Sequence, residues 1–169
     1  MILSPPAILA LSLVLPGGAA TAAEISSDDS VGTLDAPIRA YLDRKAAAES
    51  AAGIYVSKLV RGDIDGNGKA DAYVSYSLES ASGGNFTLLY EALFVVEKDQ
   101  LVFKAERDNG SSGTAQGESF SPKRIEAGRI LGEILAYAPD DGACCPSIKR
   151  AASVSYAGGK LGAAVKKAD

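Results

Sequence analysis

Beyond Gly53 the chain repeats at the period of a strand rather than of a helix, and this confines most of it to β-sheet. In residues 72–79, Ala72, Val74, Tyr76 and Leu78 alternate with Tyr73, Ser75, Ser77 and Glu79, the pattern of a strand with one face buried. A hairpin loop, SASGGN, follows at 80–85. Residues 86–96 are apolar on both faces: Phe86, Leu88, Tyr90, Ala92, Phe94 and Val96 on one, Leu89, Leu93 and Val95 on the other. That predicts a central strand. Turn signals at 98–100, 109–113, 127–128 and 158–159 cut the remainder into strand-sized pieces at 101–106, 120–126, 129–137, 150–156 and 160–165. The glycine- and serine-rich stretch 109–119 is expected to be a mobile loop.

One helix precedes the strands. Ile38, Tyr41 and Leu42 fall at helical spacing within 34–52, Asp35 is a fitting N-cap, Pro37 suits the first turn, and Gly53 should stop the run. Strands joined by short turns imply an antiparallel meander, so the predicted fold is α+β: one N-terminal helix packed on an antiparallel β-sheet meander, a single domain over 34–169.

Residues 7–15 (AILALSLVL) form an apolar run too short to cross a bilayer but suited to the core of a signal peptide. Pro16, Gly17 and Gly18 end it, and Ala20-Thr21-Ala22 supplies the small-residue pattern of a cleavage site. The expectation is a signal peptide over 1–22, a flexible mature N-terminus over 23–33, and a periplasmic or secreted protein. No second long apolar run follows, so no membrane insertion is expected after cleavage.

Composition narrows the chemistry. The 169 residues include no histidine and no tryptophan. Histidine-based triads and histidine metal ligation are therefore excluded, and no side chain titrates near neutrality unperturbed. With 17 basic against 21 acidic residues the net charge is −4, which opposes a nucleic-acid partner.

The most informative segment is Gly62-Asp63-Ile64-Asp65-Gly66-Asn67-Gly68-Lys69-Ala70-Asp71. Oxygen-bearing side chains stand at alternate positions 63, 65 and 67, a glycine follows, and a further carboxylate comes at 71. A hard cation such as Ca2+ takes several oxygens, and a turn at Gly68 lets Asp63, Asp65, Asn67 and Asp71 converge while the Lys69 carbonyl fills another position. The alternative is a solvated hairpin turn, since Asp-Gly and Asn-Gly form turns unaided. A plain turn needs neither Asp63 nor Asp71, which favours calcium. An EF-hand is excluded, because its twelfth loop position would be Val74 rather than glutamate and the flanks read as strands.

This segment resembles the calcium loop of the integrin-type FG-GAP and VCBS repeats, whose Asp-x-Asp-x-Asn/Asp-Gly-x-x-Asp pattern lies between two strands. The likeness covers about thirteen residues and occurs once, so the multi-bladed propeller of those repeats does not carry over. The order of segments from Tyr55 to Leu161, including the late Cys144-Cys145-Pro146-Ser147, also resembles a group of small uncharacterised bacterial exported proteins, which brings no activity to transfer.

Cys144 and Cys145 are the only cysteines, and they are adjacent. In an oxidising compartment an even count suggests a disulfide. Adjacent α-carbons sit ~3.8 Å apart, closer than in ordinary bridges, so the favoured reading is a strained vicinal ring that stiffens the loop before Pro146. A redox pair, a soft-metal site, free thiols and intermolecular bonding are the alternatives. Glu79, Glu91, Glu97, Glu118, Glu126 and Glu133 offer carboxylates for hydrolysis, but no spacing singles out two, and most are expected to be solvated. The functional expectation is a non-catalytic, calcium-stabilised binding or structural module whose partner is an unknown protein or cell-envelope component. A periplasmic inhibitor of a cell-wall enzyme and a carboxylate-dependent hydrolase are the rivals.

Overall fold

The computed structural model describes residues 24–27, 32–80, 87–112, 117–142 and 145–166. The signal-like segment 1–22 lies outside them. Among the described residues there are one helix and ten strands: β1 (Glu24–Ser27), α1 (Ala36–Glu49), β2 (Ala51–Gly62), β3 (Asp71–Ser80), β4 (Thr87–Glu97), β5 (Gln100–Ser112), β6 (Ser119–Glu126), β7 (Arg129–Ala136), β8 (Ile148–Ala157), β9 (Lys160–Leu161) and β10 (Val165–Lys166). No helix among them is long and apolar enough to cross a membrane.

In α1 the Asp35 carbonyl accepts the first helical bond, from Arg39 N–H at 3.0 Å, and Pro37 sits in the first turn, where its missing N–H costs nothing. The helix ends at Glu49, earlier than Gly53, because Ser50 adopts a left-handed cap with φ 52°. β2 then begins at once. Ile38, Leu42 and Ala46 recur on one face of α1, and all three are buried.

The strands divide into two sheets, a distinction that turn spacing alone does not make. The first runs β1-β2-β3-β4-β5; the second runs β10-β8-β7-β6, with β9 paired to β8. Pairing is antiparallel except at one edge, where β1 lies parallel to β2. Residues 24–27 thus form a strand within a stretch expected to be flexible. The 109–119 loop expectation is also corrected, since β5 extends to Ser112; residues 113–116 lie outside the described residues. The piece at 160–165 splits into β9 and the start of β10.

Two cores result. One lies between α1 and the first sheet, built on Ile38, Leu42, Val56, Val74, Tyr76 and Phe94; the other joins Tyr73, Leu93 and Val95 to Phe120, Ile130 and Val154 of the second sheet. Order through the molecule is therefore helix, sheet, sheet. This explains why residues 71–78 of β3 are all buried although the sequence alternates. The Tyr73-Ser75-Ser77 face reads as solvent-facing, but the second sheet covers it.

Close approach of the sheets has its own sequence requirement. A Cβ on Gly62 would lie 2.7 Å from Ile125 Cβ and 2.9 Å from the Ile125 carbonyl, so only glycine lets the end of β2 pass β6 here. At the β5–β6 crossing the Asn109 amide does the work of a strand backbone. Its Nδ2 donates to Phe120 O at 2.9 Å, and its Oδ1 accepts from Phe120 N at 2.8 Å.

Candidate metal centre

The acidic loop joins β2 to β3, as its strand-like flanks require. Asp63, Asp65 and Asp71 each offer a carboxylate oxygen, and these oxygens lie within 4.8 Å of one another; this triad could hold a metal ion. Asp71 is buried, Asp63 half-buried and Asp65 exposed.

The loop backbone organises each carboxylate. Asp63 accepts N–H bonds from Gly66 (2.7 Å), Asn67 (3.1 Å) and Gly68 (2.8 Å). The bond from Gly68 is the largest of several that hold the Asp63 carboxyl below the usual carboxylate range. Gly66 and Gly68, at φ 82° and 79°, supply the left-handed turns that point those amides inward. Asp71 accepts from Ile64 N and Val96 N, both at 2.8 Å, and so ties the start of the loop to the end of β4. Gathering three anions costs mutual repulsion, which backbone N–H donors offset in part and a cation would remove.

Asn67 stands beside the triad. Its Nδ2 donates to Asp65 Oδ2 at 3.0 Å and to Val96 O at 3.3 Å, while its Oδ1 accepts from Lys69 N at 2.7 Å. The Lys69 ammonium pairs with Asp99 Oδ1 at 2.6 Å, in the β4–β5 turn. On its other side the loop reaches the second sheet: Ile64 is buried in the inter-sheet core, and Asp63 and Asp65 share a cleft of about 590 Å³ with Ile125, Glu126 and Gly128. One short loop therefore touches β4, the β4–β5 turn and the β6–β7 turn.

The second singled-out segment also has internal order. Asp141 Oδ2 accepts from Ala138 N (2.7 Å) and Ser147 N (2.8 Å), which lowers its carboxyl below the usual range. Cys145 N donates to Gly142 O at 3.0 Å, and Cys145 is disulfide-bonded. Cys144 lies outside the described residues, as does the pairing expected for it.

Of the six glutamates expected to be mostly solvated, Glu79, Glu97, Glu118 and Glu126 are exposed and Glu133 is half-buried. Glu91 is fully buried. It accepts from Tyr73 Oη at 2.6 Å and Ser75 Oγ at 3.3 Å and pairs with Arg107 at 2.5 Å. Burial pushes its carboxyl upward, and Arg107 pulls it back. A further glutamate, Glu106, receives both the Tyr41 and Tyr76 hydroxyls, with Lys45 at 2.9 Å. Both sites bind strands or helix to sheet. Compared with protein-family models, with curated proteins and with solved structures, the chain matches none, so its chemistry rests on its own residues.

Proposed function

We propose that this chain is an exported, non-catalytic module whose two sheets are locked together by a calcium ion held by Asp63, Asp65 and Asp71, with the Asn67 side chain and the Lys69 carbonyl as further donors. The observation that carries the reading is the convergence of three carboxylates in a loop bonded to β4 and buried at Ile64 against the second sheet. All the donors are hard oxygens, the set that suits calcium rather than a soft metal. Without a bidentate glutamate the affinity belongs with extracellular modules, on the order of 10⁻⁴ to 10⁻³ M. The disulfide at Cys145 fits the oxidising compartment that the N-terminal segment implies.

Titration calorimetry of the whole chain with CaCl2 tests this. Asp65 is the residue to change, since it is exposed, whereas Asp71 also holds two backbone amides. Binding in that range by the unaltered chain and its loss in Asp65→Ala support the reading; no heat in either would leave the loop a turn.

The inhibitor reading has one observation in its favour. Asp141 gathers the amides of Ala138 and Ser147, and Cys145 beside them is exposed, features that suit a loop offered to a partner. Co-purification of a cell-wall lytic enzyme with the chain would select it.

A further inference from the structure

We propose that the outward face of the second sheet binds a carboxylate-bearing polysaccharide. β7 and β8 place Arg129 opposite Ser155, Leu131 opposite Ser153 and Glu133 opposite Ala151. These rows point away from the core, because the alternate residues Ile130, Ile134, Ala152 and Val154 are buried. The β8 half of the floor is thus made of short side chains, Ala151, Ser153 and Ser155. Longer cationic ones rise around it: Lys123 and Arg124 from β6, Arg129 from β7 and Lys166 from β10, bounding a groove of about 850 Å³.

Four cations line this groove with one carboxylate, Glu133, in a chain of net charge −4. With Glu126 and Glu118, which reach two of these cations from outside the groove, the local balance is four positive to three negative, a small excess that rests on Arg129 in a chain whose overall sign is negative. Lys123 pairs with Glu133 (2.5 Å), Arg124 with Glu126 (2.7 Å) and Lys166 with Glu118 (3.2 Å). These are surface pairs that an incoming anion can replace at little cost. Arg129 has no such partner among the described residues, and guanidinium groups suit the two oxygens of a carboxylate.

The lining also selects the kind of polyanion. It holds no aromatic side chain, so single-stranded nucleic acid would find no stacking platform and a peptide no aromatic anchor. What it offers is hydroxyls on the floor, at Ser153 and Ser155, and cations at the sides. That combination fits a hydroxyl-rich chain carrying carboxylates at intervals. The groove shares no lining residue with the acidic loop, so this proposal and the calcium reading can fail separately.

The test uses the whole chain and a short hyaluronan oligosaccharide as probe, followed by calorimetry in chelator, with circular dichroism confirming that the sheets remain folded. Expected is saturable binding that weakens about tenfold or more between ~50 and ~500 mM NaCl. It should fall by a similar factor in Arg124→Ala/Arg129→Ala and, separately, in Lys166→Ala, while Arg39→Ala on α1 leaves it unchanged. Neutral dextran should not bind. Equal binding of polyglutamate or oligothymidylate would overturn the proposal in favour of an unselective anion sink. So would binding that ignores the groove variants, or no binding of hyaluronan at all.

Discussion

Glu91 sits where a charge is least expected, in the middle of the most apolar strand, and its three partners explain how it stays there. Ser75 and Arg107 are its cross-strand neighbours on β3 and β5, and Tyr73 reaches it from β3. Removing one partner of such a pair strands the other charge, whereas replacing both by apolar residues removes the desolvation cost as well. Glu91→Ala should therefore lose about 3 to 5 kcal/mol of stability, and Glu91→Leu combined with Arg107→Met should lose much less, as read from urea unfolding midpoints. A double variant as unstable as Glu91→Ala would contradict this. The residue was visible in the sequence as a lone charge inside an apolar run. The apolar residues on both faces of 86–96 imply that it is covered, but its partners Ser75 and Arg107 are not legible, because periodicity does not report cross-strand register. The triad was more legible: alternate carboxylates at 63 and 65 and another at 71 converge because the intervening glycines turn the backbone.

At the scale of elements, turns were the most readable feature. Lys98-Asp99, Ala127-Gly128 and Gly158-Gly159 all have positive φ at both positions and close two-residue hairpins where turn residues cluster in the sequence. The division of strands between sheets is not readable from turn spacing, and the contacts where the sheets approach, Asn109 to Phe120 and Gly62 to Ile125, join residues on different strands that periodicity does not pair. Near Asp141, two backbone amides, those of Ala138 and Ser147, are held by one ionised side chain. Asp141 has a folded pKa lowered from 3.8, so the stability it contributes is present above that value and is lost as pH falls through the lower, folded one. Amide protection at Ala138 and Ser147 should therefore drop together as the solution is acidified below pH 3.8, and Asp141→Ala should be unprotected there at every pH. Protection in the unaltered chain that persists at full protonation would show that Asp141 does not hold these two amides. Glu91 acts in the opposite sense: raised by burial, it favours the folded chain at low pH and loses that contribution as pH rises through its folded value.

For the molecule as a whole, the acidic loop is where the layers meet. Asp71 bonds to β4, Ile64 enters the inter-sheet core, and Lys69 reaches the β4–β5 turn, so an ion bound there would restrain both sheets rather than one hairpin. Calcium held by these residues would therefore stabilise the fold as a whole. Thermal unfolding of the whole chain, with calcium at ten to a hundred times its dissociation constant and again in chelator, measures this. The expected gain is about 1 to 3 kcal/mol by linkage, seen as a higher Tm in calcium, with most of it absent in Asp65→Ala. Superimposable unfolding curves in calcium and in chelator would contradict the claim.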